Sequence, residues 1–147
     1  MKTKLFLGIC LLALSHPFSI AASQTLHVTI KNIQAPAKGI IRIAIFSNEK
    51  GYRAEKDFIA ANYEKKNLKN GTMTVEIPVK KGVYGITVLD DENNNGQMDY
   101  NLLGIPKEGF GFSNFKLTKM RKPKFEDFSF QVEEKQVKDI VVSMRYM

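Results

Sequence analysis

Alternation of apolar and polar residues with a period of two runs through most of this chain, and it constrains the fold more than any other feature. Leu26, Val28 and Ile30 share one side of residues 25–33, with Thr25, His27, Thr29 and Lys31 on the other. Ile41, Ile43 and Ile45 alternate across 39–47, where Ile40, Ala44 and Phe46 leave the second face fairly apolar too. Met73, Val75, Ile77 and Val79 line one face of 72–79, and Tyr84, Ile86 and Val88 one face of 83–90. Phe128, Phe130 and Val132 repeat the pattern, as do Ile140, Val142, Met144 and Tyr146. Successive side chains of a strand point to opposite faces, so each run reads as a half-buried strand. Six strands follow, with a seventh expected between Gln97 and Leu117.

Turn residues separate the runs: 36–39, Asn70-Gly71 and Lys80-Lys81-Gly82. The stretch 133–136 is short enough to close a hairpin. Phe58, Ile59 and Tyr63 suggest one helix over 54–66. Strands at short intervals, without alternating helices, predict an all-β fold. The expectation is a single antiparallel β-sandwich of about seven strands, with one short helix and a long loop, over residues 24–147.

Residues 1–23 carry a different signal. Lys2 and Lys4 precede a ten-residue apolar run from Leu5 to Leu14, and small residues follow at Ser19, Ala21, Ala22 and Ser23. A run of ten is too short for a bilayer span of about 20 residues and has the pattern of a secretory signal peptide. Cleavage is expected near residues 21–23. Cys10 lies inside the apolar run behind Ile9, which argues against lipidation. Cleavage would remove the single Cys and one of two His, and would lower the formal charge from +7 to +5. A disulfide framework and a cysteine nucleophile are thereby excluded, and the His count leaves little room for a histidine metal centre. The expected location is the bacterial periplasm or the extracellular medium.

The chemistry-bearing stretch is Asp90-Asp91-Glu92-Asn93-Asn94-Asn95-Gly96-Gln97-Met98-Asp99. Counted from Asp91, oxygen side chains fall at positions 1, 3, 5 and 9 with glycine at 6, as in the first part of an EF-hand loop. Calcium takes six to eight oxygens at about 2.4 Å, and a tight loop can aim alternate side chains inward. Asp91, Asn93, Asn95, the carbonyl of Gln97 and Asp99 are the candidate ligands. Position 12 is Leu102 rather than Glu. Glu108 is the first candidate for the missing oxygens, then Asp90, Glu92 and water. The alternative is an Asn95-Gly96 hairpin turn followed by a returning strand carrying Met98, Tyr100 and Leu102.

Downstream runs Gly104-Ile105-Pro106-Lys107-Glu108-Gly109-Phe110-Gly111-Phe112-Ser113-Asn114. With Gly82-Val83-Tyr84, the 91–99 loop, Pro123, Phe125 and Met144-Arg145-Tyr146, this block resembles the bacterial family known as domain of unknown function two-one-four-one. The resemblance implies an exported, prealbumin-like sandwich similar to carboxypeptidase regulatory domains, with no established activity. It pairs the acidic loop with Glu108, and it implies a His where this chain has Asp90.

Two further features bear on function. Phe110, Phe112 and Phe115 either form an exposed platform or pack down to anchor the loop. Lys116, Lys119, Arg121, Lys122 and Lys124 form a basic cluster suited to acidic glycans or other envelope polymers. No nucleic-acid motif, G-x-S-x-G or H-E-x-x-H occurs. The expected function is an exported cell-envelope binding or structural module, monomeric and not transmembrane, stabilised by calcium and without catalysis. The alternative is a domain that binds carbohydrate or envelope polymer through the aromatic loop and basic cluster.

Overall fold

The computed structural model describes residues 24–34, 38–56, 58–118 and 121–147, so the expected signal peptide and Lys119 lie outside the described residues. Among the described residues, eight strands form two sheets. The first sheet has the order β4-β1-β8, from Met73–Val79, Gln24–Lys31 and Val137–Ser143. The second has the order β3-β2-β5-β6, from Ile59–Glu64, Ile40–Phe46, Gly82–Asp91 and Gly109–Phe112, and β7 (Ser129–Val132) also pairs with β5. Pairings are antiparallel except that of β1 with β8.

The period-two faces meet between the sheets. Leu26, Val28, Ile30, Ile77, Ile140 and Val142 of the first sheet face Ile41, Ile43, Ile45, Ile86, Val88 and Val132 of the second. The apolar second face of β2 has its own cover. Phe46 packs with Tyr52, Phe125 and Phe128 in a smaller cluster, built by α1 (Glu49–Arg53) and α2 (Phe125–Phe128) on the outer side of the second sheet. Glu49 Oε2 accepts from the Phe125 amide at 2.6 Å and ties the two short helices together.

Two expectations and one alternative are corrected. The helix over 54–66 is instead the edge strand β3, flanked by α1 and by a 3₁₀ turn at Lys65–Asn67. An offset of four residues, as between Ile59 and Tyr63, places side chains on one face in a helix and in a strand alike. The alternate burial of Ile59, Ala61 and Tyr63 shows that pairing with β2 decides for the strand. The 133–136 stretch closes no hairpin. It carries the chain from β7 in one sheet to β8 in the other. The Asn95-Gly96 hairpin does not form either. Positive φ falls at Asn94 and Gly96 rather than at Asn95 and Gly96, and β5 takes its return partner from Gly109–Phe112. The expected seventh strand is this β6.

β5 shares one edge between two short strands, β7 along Gly82 to Gly85 and β6 along Thr87 to Asp90. The gap falls at Ile86, and Ser113 fills it. Its Oγ accepts from the Ile86 amide at 2.9 Å and donates to the Phe128 carbonyl at 2.6 Å, and its own amide donates to the Ile86 carbonyl at 2.9 Å. Asn114 then reaches the first sheet, donating its amide to the Val141 carbonyl at 2.7 Å and accepting from the Val141 amide at 3.0 Å. Ser113→Ala strands the Ile86 N–H in a dry interior. It is expected to lower stability by about 1–3 kcal/mol in a denaturant titration, with native far-UV circular dichroism retained.

Candidate functional site

β5 ends in two consecutive carboxylates, and alternation sends them to opposite faces. Both are fully buried. Asp90 points into the sandwich, where Oδ1 pairs with the buried Lys65 ammonium and Oδ2 accepts from the Tyr146 hydroxyl at 2.6 Å. Tyr146 Oη in turn accepts from the Gln34 amide at 3.0 Å. Burial, reinforced by the hydrogen bond to Asp90, raises the Tyr146 phenol well above its ordinary value. Asp90 thus serves an interior ion pair on the face opposite the 91–99 loop.

Asp91 points outward beneath that loop. Its Oδ2 receives the Arg42 Nε and the Gly96 amide, the latter at 2.9 Å, and its Oδ1 receives the Asn95 amide at 3.0 Å. Burial pushes the Asp91 carboxyl up, but the guanidinium and the two amides outweigh it and leave the group below its ordinary value. Arg42 also spans the loop, with Nη2 donating to Asn94 Oδ1 at 2.9 Å. Gly39, on the adjoining strand entry, has φ +75°, and a Cβ there would lie 2.0 Å from the Asp91 carbonyl oxygen, so only glycine lets β2 pass this close.

The remaining loop side chains meet at Asp99. Asn93 Nδ2 donates to Asp99 Oδ2 at 2.5 Å, and Asn95 Nδ2 to Asp99 Oδ1 at 3.1 Å. Their carbonyl oxygens accept from the Asn95 amide at 3.1 Å and the Gln97 amide at 2.9 Å. Positions 1, 3, 5 and 9 are therefore joined in one hydrogen-bonded knot. Glu108 reaches the knot from behind, where Oε1 accepts from the Glu92 amide at 2.9 Å and Oε2 from the Asp99 amide at 3.1 Å. This buried carboxylate staples the two ends of the loop. Sequence reasoning missed Arg42, whose only signal was a cation on an otherwise apolar strand, and Lys65, which nothing local marked as buried.

The aromatic stretch packs down. Phe110, Phe112 and Phe115 are partly buried and meet edge to face, with ring centroids 6.2 and 6.3 Å apart, and Phe112 also meets Phe128 at 5.2 Å. They nevertheless line a hollow of about 290 Å³, bordered by Lys116, Arg145 and Tyr146. In the basic cluster, Lys122 pairs with Glu55 at 3.1 Å and Lys124 with Glu126 at 3.1 Å. His27 lies on the outer face of the first sheet between Glu76 and Asp139, at 3.3 and 3.4 Å. No group of three or more His, Cys, Asp or Glu side chains arranged to hold a metal occurs among the described residues. A cation in the loop would depend on asparagine and backbone oxygens.

Comparison with known proteins places the chain in a family. Residues 28–140 match the model described as "Uncharacterized protein conserved in bacteria (DUF2141)". The chain belongs to that family. No curated protein and no solved structure matches it.

Two substitutions probe the carboxylate pair. A carboxylate whose folded value is depressed contributes stability above its unfolded value, near pH 4, and that contribution is lost as pH falls through the folded value. Asp91→Asn is therefore expected to cost about 1.5–3 kcal/mol at pH 7, and the gap from wild type should close in acid-unfolding curves below about pH 4. Lys65→Met leaves Asp90 buried without its cation and is expected to cost about 3–5 kcal/mol. The Lys65→Met/Asp90→Leu double variant should recover much of that loss in the same denaturant titration, because no lone charge remains.

Proposed function

We propose that this protein is a non-catalytic binding or structural module of the bacterial cell envelope, exported by its amino-terminal signal and stabilised by calcium in the 91–99 loop. One observation carries the reading: Asn93 and Asn95 converge on Asp99 while Asp91 holds the amides of Asn95 and Gly96. The candidate donors are already gathered, so binding requires side-chain exchange at Asp99 rather than refolding. The Asn93 and Asn95 amides would turn their oxygens inward, with the Gln97 carbonyl and water completing an oxygen shell suited to a hard cation. Arg42 neutralises Asp91, which limits the charge left for a cation and favours modest affinity. Glu108 acts on this reading as the loop's backbone staple, and as a ligand only through its remaining lone pairs.

A second reading rests on the hollow among Phe110, Phe112 and Phe115. Aromatic faces beside Lys116 and Arg145 suit one ring of an acidic glycan, and this would make the module a binder of envelope polymer.

The calcium reading is tested by thermal melting. Sites with few charged ligands bind in the range of about 10⁻⁴ to 10⁻³ M. With a Kd of about 0.1 mM, calcium at about 10 mM stabilises the native state by about 2.7 kcal/mol. Tm should then rise by about 10 °C over the value in chelator. Asp99→Ala should abolish the rise while the protein still folds, since Asp99 anchors the loop and not the sandwich core. Magnesium should substitute poorly, because it demands tight octahedral geometry. Equal melting temperatures in calcium and chelator would refute the site.

A further inference from the structure

Beyond Asp99 the long loop rises into a small ordered hairpin whose apical side chains stay outside the core formed by the described residues. Tyr100 bridges Pro106 in antiparallel fashion, the Asn101 amide donates to the Ile105 carbonyl at 2.9 Å, and the Lys107 amide donates to the Asp99 carbonyl at 2.9 Å. Asn101 Oδ1 accepts from the amides of Leu103 and Ile105, at 2.8 and 3.0 Å, and so pins the apex from inside. Glu108 holds the base through the Asp99 amide. The turn is built, and it presents leucines to water. Leu102 and Leu103 expose 105% and 82% of their surface, and Tyr100 behind them exposes 59%. Gly104, with φ +74°, has no atom within 4 Å of where a Cβ would lie, so the tip stands clear of the body.

Two adjacent, strongly exposed leucines at the apex of a hydrogen-bonded turn are a contact surface that nothing among the described residues covers. The surface is convex and narrow, which suits a medium that it can penetrate. Its polarity is layered: leucines at the apex, a tyrosine behind them, then the exposed Lys107 at the base. That order matches the passage from acyl chains through the aromatic-favouring boundary to the phosphate layer of a lipid surface. The formal charge, +7 for the whole chain and +5 once residues 1–23 with Lys2 and Lys4 are removed, favours an anionic one.

We propose that the 100–104 tip docks the protein on an anionic lipid surface by inserting Leu102 and Leu103 at the boundary of headgroups and acyl chains. Asp99 directly precedes the tip, so the candidate loop lies at headgroup level. Arg42 already neutralises Asp91, so a cation bound there would offset Asp99 and strengthen docking. This calcium dependence rests on the reading given under Proposed function, whereas the insertion itself does not.

The test is cosedimentation with vesicles of phosphatidylcholine mixed with phosphatidylglycerol, in millimolar calcium and in chelator. Wild-type protein is compared with a Leu102→Gln/Leu103→Gln variant sharing the same amino terminus, so that any binding by residues 1–23 is common to both. Both side chains are exposed, so the variant should melt as wild type does. Burying one leucine is worth at least about tenfold in a partition constant, and the double variant is expected to lose at least that much of the wild-type binding. Undiminished binding by the variant, or no binding by wild type in either condition, overturns the proposal. Wild-type self-association that the variant loses, without vesicle binding, assigns the tip to protein contact and also overturns it. Tip-dependent binding of equal strength in calcium and chelator supports the lipid tip and removes only its link to calcium. A calcium-induced rise in Tm without vesicle binding leaves the metal site standing and the tip refuted.

Discussion

A strand that ends in two consecutive carboxylates must send one to each side of its sheet, and much of this molecule is arranged around that requirement at the end of β5. Neither carboxylate reaches water, so each needs a cation and hydrogen-bond donors of its own. Inside, Asp90 draws Lys65 from the turn after β3 and the Tyr146 hydroxyl from the chain's end. Outside, Asp91 draws Arg42 across from β2 and the amides of Asn95 and Gly96 down from the loop. The inner pair binds the last residues of the chain to the second sheet. The outer pair sets the floor on which the loop and its projecting hairpin stand.

The same end of the fold concentrates close backbone approaches. Gly39 admits the Asp91 carbonyl, and Gly109 lies under the Tyr146 ring, where a Cβ would come within 2.3 Å of Cε1. Cation, carboxylate and glycine are therefore matched in position along β2, β5 and β6. The arrangement explains how the long connection between β5 and β6 is held in one conformation. Its backbone hydrogen bonds run to Asp91 and Glu108 where a regular ladder is missing. A rigid loop of this kind is what a weak cation site, or an inserting tip, requires.

Much of the architecture was legible because burial follows alternation. Leu26, Val28, Ile30, Ile41, Ile43, Ile45, Ile86 and Val88 lie in the core as their spacing implies. The failures are equally physical. Ile59 and Tyr63 satisfy both periods, so nothing local could separate helix from edge strand. The length of 133–136 permits a hairpin, but the length of a connection does not say whether it stays in one sheet. For Phe110, Phe112 and Phe115 local spacing allows platform or anchor alike, and only the proximity of Phe112 to Phe128 shows how far they pack down.

By itself the sequence determined an all-β sandwich, its core faces, and a loop in which Asp91, Asn93, Asn95 and Asp99 recur at a spacing that lets them converge. Those properties follow from local periodicity, which each segment carries without reference to the others. Only the tertiary structure decided that Asp90 turns inward to Lys65, that Arg42 already occupies Asp91, that Glu108 spends both oxygens on loop amides, and that Leu102 and Leu103 are left in water. Each of these depends on which distant residue crosses the end of β5, and pairing register between strands far apart in the chain sets that crossing.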